Sequence, residues 1–278
     1  MTSNPSSTPD NTRQVADFRA LHAPGDVLVL PNAWDAGSAA LIESCGARAI
    51  ATSSAAVAWA KGFPDGEKLP SELLLDEVSE IVLAIKVPLS VDIESGFSND
   101  PARVARLAGE LIELGAVGIN IEDGREPPEL LAAKIAAVKR EAKSLGCDLF
   151  VNARTDVVLK QLVPAHEAVP QILERARVYA RAGADGLFVP ALAEPDSIRK
   201  VAGALELPLN VMALPSLAPL AQLRAFGVRR LSAGSGIAQA AFAAAQAAAE
   251  RFLVDGDSAK LFATPTKLKS MNALLKRD

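Results

Sequence analysis

Three short stretches of this 278-residue chain carry ionisable side chains where a buried strand should be apolar: Leu89-Ser-Val-Asp92-Ile-Glu94-Ser95, Ile119-Asn120-Ile-Glu122-Asp123 and Val151-Asn152-Ala-Arg154-Thr-Asp156. Side chains alternate between the faces of a strand, so Asp92 shares a face with Glu94, Asn120 with Glu122, and Asn152 with Arg154. Neighbouring strands lie about 4.8 Å apart, which would gather these side chains into one cluster. Three carboxylates within about 5–8 Å repel strongly in a low-dielectric mouth, and one stays protonated unless a cation compensates. A donor set of carboxylates and water, with no His or Cys, suits a hard ion. Asp92, Glu94 and Glu122 are therefore the expected metal residues, for Mg²⁺ with Mn²⁺ as the alternative ion. Zinc is disfavoured because the two histidines, His22 and His166, fall in helical or loop stretches. The competing account is an ion-pair network closed by Arg154, but one guanidinium does not neutralise three acids. The planar fork of Arg154 also suits capture of a substrate carboxylate, with Asn152 beside it.

Positioning such a cluster takes a scaffold of parallel strands. Apolar, β-branched runs at Val27–Ala33, Ala49–Ser53, Pro88–Glu94, Gly118–Asp123, Leu149–Thr155, Gly186–Ala191, Leu207–Ala213 and Arg229–Ala233 alternate with amphipathic stretches such as Ser71–Ile85, Ala102–Leu114 and Pro128–Leu145. Strands flanked by helices imply parallel pairing with right-handed crossovers. Eight such units in about 230 residues predict a (β/α)₈ TIM-type barrel, whose chemistry sits at the C-terminal ends of the strands. The doubly wound alternative wants a Gly-rich turn after its first strand, and Pro31-Asn-Ala-Trp-Asp35 is not one. The expected organisation is a disordered tail over residues 1–14, a barrel domain over 15–255 and a helical extension over 256–278, with a last helix from about Lys267 to Lys276.

Two further turns carry weaker signals. Ala51-Thr-Ser53-Ser54-Ala55 ends the second strand with small residues that let backbone N–H groups cradle an oxyanion, although a plain turn explains it equally. Ser232-Ala-Gly234-Ser-Gly236 is similar to the phosphate site many barrels build late in the chain, or is a simple helix N-cap.

The bulk properties narrow the partners. With 29 basic and 33 acidic residues and no basic stripe, the chain is not expected to bind nucleic acid. The Ala-rich segment Ile237–Leu253 is broken by Gln239, Gln246, Glu250 and Arg251, so no membrane span is expected. Cys45 and Cys147 match no metal spacing and read as reduced thiols of a cytoplasmic protein. A helix beyond a completed barrel has no strand to cover, which predicts a homo-oligomer, tetramer or dimer.

Together, Pro31-Asn-Ala-Trp-Asp35, Ala51-Thr-Ser-Ser-Ala55, Gly62-Phe-Pro-Asp65-Gly66, Ser90-Val-Asp-Ile-Glu94, Gly118-Ile-Asn-Ile-Glu-Asp123, Asn152-Ala-Arg-Thr-Asp156 and Ala182-Gly-Ala-Asp-Gly186 resemble the isocitrate lyase / phosphoenolpyruvate mutase superfamily. The resemblance implies a barrel that binds a 2-oxo acid or its enolate on Mg²⁺. It implies Asp92 as the direct metal ligand, with Glu94, Glu122 and Asp65 holding the metal's water. Ser53 and the amides of Ser54 and Ala55 would cradle the substrate, and Arg154 would bind it. Asp65, Glu122 and Arg154 are the residues expected to take part in catalysis. The lyase members carry a Lys-Lys-Cys-Gly-His-type loop after the fourth strand, whereas Asp123 here is followed by Gly124-Arg-Glu-Pro-Pro-Glu129. The expectation is thus a Mg²⁺-dependent lyase that cleaves or decarboxylates a small oxaloacetate- or malate-like acid. Phosphonomutase-type P–C chemistry and non-catalytic binding of 2-oxo acids are the alternatives.

Overall fold

The computed structural model describes residues 12–262 and 268–276. Its strands are β1 (Leu28–Leu30), β2 (Asn32–Ala33), β3 (Ile50–Thr52), β4 (Leu89–Asp92), β5 (Gly118–Glu122), β6 (Phe150–Arg154), β7 (Gly186–Phe188), β8 (Leu209–Met212) and β9 (Val228–Ser232). The helices are α1 (Thr12–Ala20), α2 (Ala36–Ser44), α3 (Ser54–Ala60), α4 (Ser71–Ala84), α5 (Pro101–Leu114), α6 (Pro128–Ser144), α7 (Ala168–Ala182), α8 (Pro195–Ala204), α9 (Leu220–Phe226), α10 (Gly236–Asp255), α11 (Ser258–Phe262) and α12 (Met271–Leu274).

All strands pair in parallel, in the order β1-β9-β8-β7-β6-β5-β4-β3-β2. The sheet's two ends, β1 and β2, are halves of one strand separated at Pro31, which lacks an N–H to donate. Closing through that strand turns the sheet into the expected eight-stranded barrel.

Alternation decides what each strand buries. Val91 and Ile93, Ile119 and Ile121, and Val151 and Ala153 face outward, packing with Leu107, Leu111, Ile135 and Val138 of the surrounding helices. The intervening residues point into the barrel, so the polar residues of the three stretches share its interior. A separate apolar plug of Leu28, Leu30, Ala51 and Phe150 fills the floor, sealed by Val15 and Phe18 of α1. Gly115 and Gly183 end α5 and α7 at φ of 116° and 104°, a left-handed turn that brings the chain straight into the next strand.

The termini differ from expectation. Residues 1–11 of the expected tail lie outside the described residues, while Thr12–Gln14 already belong to α1, because Val15 and Phe18 give that segment a floor to bury against. The expected C-terminal helix is confined to Met271–Leu274, with Lys267 outside the described residues, and α11 precedes it. Among the described residues, no helix is long and apolar enough to cross a membrane. Cys45 and Cys147 are both unpaired.

Candidate active site

Asp92 ends β4, its backbone N–H held by Thr52 Oγ1 at 2.8 Å. Its carboxylate accepts from Ser54 Oγ at 3.0 Å and Ser54 N at 3.4 Å, and from the N–H of Glu94 at 3.3 Å. Burial raises Asp92 above the usual carboxylate range against the opposing field of Arg154. Glu94 follows in a left-handed conformation (φ 51°) that turns its side chain back toward the mouth. There its Oε2 accepts the N–H of Glu67 at 2.6 Å. Burial, and then the negative charges of Asp92, Asp65 and Glu67, push Glu94 up to about 8.

On the next strands the register sets Glu122 against Arg154. Arg154 Nη1 meets Glu122 Oε2 at 2.6 Å, while Nε and Nη2 meet Asp156 at 2.7 and 3.2 Å. Lys160 Nζ completes a ring of alternating charge, 2.7 Å from Asp156 and 3.4 Å from Glu122. Even so, burial pushes Glu122 up to about 7, with Arg154 opposing and Asp156 adding to the shift. Asp123 anchors this side from behind: its carboxylate accepts from Arg175 (2.7 Å), Tyr179 (2.5 Å) and the N–H of Asp156 (2.9 Å).

These groups surround a small cavity of about 170 Å³ lined by Ser53, Ser54, Ala55, Asp65, Asp92, Asn120 and Arg154, with Phe188 and Met212 closing its apolar side. Of the expected site residues, Glu94, Glu122 and Asn152 stand just outside this lining. Three expectations shift in detail. Ser54 gives its hydroxyl and amide to Asp92, and Ser53 Oγ sits 3.5 Å from Ala56 N as the cap of α3, so the cradle is partly engaged within the protein. Gly234 N donates to Asn32 at 2.9 Å, which takes one amide from the expected phosphate turn. Arg154 commits three of the five N–H groups of a guanidinium to Glu122 and Asp156, so an ion-pair network does exist, with Lys160 as its second cation.

Among the described residues, no three Asp, Glu, His or Cys side chains converge tightly enough to enclose a metal by themselves. The arrangement fits one directly bound carboxylate, Asp92, with Glu94, Asp65 and Glu122 acting through water, and Mg²⁺ characteristically keeps several waters. Because burial raises both Asp92 and Glu94, and the charge of Asp92 raises Glu94 further, a cation between them is stabilising.

The sequence assigned no role to Glu67, Lys160, Asn210 or Arg230. Glu67 and Lys160 reach the site from loops, where no periodicity marks them. Arg230 lies on a strand at the same inward parity as Ser232, and that parity was the usable signal.

A closed parallel barrel with acids and an arginine at its C-terminal mouth has the layout of a barrel enzyme's active site. The family model for phosphoenolpyruvate phosphomutase matches residues 18–253, and the chain belongs to that family. It is 36% identical over 245 residues to an uncharacterized protein of Mycobacterium tuberculosis, covering 86% of this chain and 90% of that one. It is 31% identical to the 2-methylisocitrate lyase of Halalkalibacterium halodurans, over 84% of this chain and 76% of the relative. A solved Burkholderia cenocepacia structure, assigned to the phosphonomutases, is 41% identical with a TM-score of 0.82, covering 86% and 99% of the two chains. The chain is accordingly an enzyme of lyase or mutase type within the isocitrate lyase / phosphoenolpyruvate mutase superfamily.

Proposed function

We propose that this enzyme is a Mg²⁺-dependent lyase that cleaves or decarboxylates a small 2-oxo or dicarboxylic acid next to its carbonyl, by way of an enolate. The observation that carries this reading is the cavity of about 170 Å³, which is small, largely polar, and flanked by Asp92 on one side and Arg154 on the other. Mg²⁺, when bound through Asp92, would supply electrophilic stabilisation of the developing negative charge. The protein's own residues do the rest. Ser53 and the first turn of α3 orient the acid end of the substrate. Arg154 offers its two remaining N–H groups to a distal carboxylate. Glu122, held by both Arg154 and Lys160, is the group placed to exchange a proton at the mouth. Asp65 lines the same cavity and, with Glu94, would hold the metal's water.

The proton chemistry here would not use the Cys-containing loop of the lyase members. Only residues 123–127 separate β5 from α6, and they form a tight turn in which Glu126 N bonds Asp123 O at 2.9 Å. The matched relative from H. halodurans is named a 2-methylisocitrate lyase, which supports the lyase class. The working unit is a homo-oligomer.

Turnover of oxaloacetate with Mg²⁺, followed by product analysis, tests the reading. Loss of oxaloacetate that requires Mg²⁺ is expected. Turnover of phosphonopyruvate instead would overturn it in favour of P–C chemistry, and an intact bound ligand would leave only a binding protein. The wild type should also bind oxaloacetate or 2-oxoglutarate more tightly than pyruvate. Arg154→Ala should erase most of that gap, a loss on the order of 30- to 1,000-fold for the dicarboxylates, and Arg154→Lys should recover only part. Equal affinity for pyruvate in the wild type would show that Arg154 does not read a distal carboxylate.

A further inference from the structure

Beneath the cavity runs a chain of side-chain amides whose polarity the structure determines. Asn210 Nδ2 donates to the backbone carbonyls of Val211 (2.7 Å) and Arg230 (3.2 Å). Those groups only accept, so Asn210 Oδ1 must be the end that faces Asn152, and it receives Asn152 Nδ2 at 3.0 Å. Asn152 Nδ2 also donates to Asn120 Oδ1 at 2.9 Å. Arg230 Nη2 points at that same oxygen, 3.2 Å away, and a guanidinium only donates. The two ends of the chain therefore independently give the same orientation for Asn120, which heavy-atom positions alone would not distinguish.

With its oxygen taken twice, Asn120 has only its Nδ2 group left to offer, and among the described residues nothing accepts from it. Asn120 lines the cavity beside Asp92 and Arg154, and its Nδ2 is not sealed among the fully buried unpartnered atoms. The two N–H groups are thus presented to whatever occupies that space. Arg230 behind it is fully buried, and among the described residues its Nε and Nη1 have no partner. Among the described residues no acid forms an ion pair with it, although the charge of Asp92 reaches it, so its own charge acts on the Asn120 carbonyl at close range in a low-dielectric interior. That polarises the amide and strengthens its N–H donors.

We propose that Asn120 is a substrate-contacting donor, binding through Nδ2 a carbonyl or enolate oxygen of the 2-oxo acid, and that Arg230 is the buried positioning residue that locks and polarises it. This rests on the reading of the cavity as a 2-oxo-acid site. It adds a neutral donor on the strand next to Asp92, one that favours an oxygen carrying developing negative charge over a hydroxyl or a methyl.

The test uses the full chain with Mg²⁺ and oxalate, a stable planar mimic of a 2-oxo acid's enolate, and reads binding by calorimetry. The wild type is expected to bind oxalate. Asn120→Ala should weaken it on the order of 10- to 100-fold, and Asn120→Asp, which puts an anion where the N–H groups stood, should weaken it more. Mg²⁺ affinity should stay close to wild type for Asn120→Ala, while the melting temperature should fall because Asn152 and Arg230 lose a buried acceptor. Arg230→Met should weaken oxalate in the wild-type background and add nothing in the Asn120→Ala background. Arg230→Lys, the milder variant if Arg230→Met does not fold, should show the same non-additivity. The Asn120 side-chain NH₂ protons should shift downfield in NMR spectra on adding oxalate. If Asn120→Ala binds oxalate as the wild type does, or if the two losses simply add, the proposal is overturned while the site reading stands. If the wild type itself binds no oxalate with Mg²⁺, the site reading fails and this proposal falls with it.

Discussion

At the scale of single residues the site is an exercise in balancing charge inside a barrel. Asp92, Glu94 and Asp65 crowd one wall, whereas Glu122 and Asp156 on the other wall already own two cations, Arg154 and Lys160. Positive charge is therefore short on the Asp92 side alone, and Asp92 is the carboxylate best placed to bind Mg²⁺ directly. Asp92→Ala should abolish Mg²⁺ binding measured by calorimetry while the fold persists, because the residue's contacts are with Ser54, Thr52 and Glu94 near the rim. Undiminished Mg²⁺ affinity in that variant would refute the assignment. Much of this was legible in the sequence. Polar residues at every second position of three strands had no reason to be there except to face a shared interior. What could not be read was which acids were already neutralised. Lys160 lies in a loop and Asp156 just past a strand end, so their meeting with Arg154 depends on how the chain turns after β6. A guanidinium that looked free for substrate is in fact largely engaged.

At the scale of elements, α1 does work that no periodicity announced. Residues Thr12–Gln14 fell within the expected tail, yet the helix seals the barrel floor through Val15 and Phe18, with Phe18 edge-on to Phe150 at 5.4 Å. The strand and helix pattern was otherwise legible to within two or three residues, because a barrel's parallel strands are short apolar runs with helices between. A nine-residue helix with only two buried side chains gives almost no such signal. The floor also carries a pH-sensitive group. His22, just after α1, stacks on Phe150 at 4.3 Å, and its Nδ1 lies 2.9 Å from the Phe18 carbonyl. Burial, and next the charge of Arg230, lower it to about 3 from an ordinary 6.5. The unfolded chain thus takes up a proton near 6.5 that the native state accepts only near 3. Between those values the native state binds fewer protons, so stability falls as pH falls. This one group contributes a slope of up to about 1.4 kcal/mol per pH unit. Chemical denaturation from pH 7 to pH 4 should show a shallower loss for His22→Phe than for the wild type. Parallel curves would assign the acid sensitivity to other groups.

At the scale of the whole molecule, the barrel's eighth helix is out of place. In a (β/α)₈ fold the last helix should lie between the first and seventh, covering the first strand. Here, among its described residues, α10 carries only one buried residue, Ala238, and exposes Phe242, Phe252, Leu253 and Val254. The slot it would have filled is a groove of about 680 Å³, lined by Val27 and Val29 of the first strand region, Leu41 and Ile42 of α2 and Leu220 of α9. Val29, which should be covered, is 50% exposed. A long helix with uncovered apolar residues and an empty apolar slot on the same chain are complementary, and closed two-fold exchange satisfies both at once. A second copy's α10 in the groove is the expected form of the homo-oligomer. The sequence pointed to the helix beyond the barrel as the element that joins the copies, but α12 and Lys269 pack back on the chain's own α2, where Met271 lies near Gly37 and Lys269 bonds Ser44. Two truncations separate the cases under light scattering. Removing residues 257–278 should leave the oligomer largely intact, whereas removing residues 240–278 should give a monomer. Val29→Glu, at a position with room for the side chain in the free subunit, should likewise shift the mass downward. A full-length chain that is monomeric at micromolar concentration, or a Val29→Glu variant with the wild-type mass, would show that the groove is not where the copies meet.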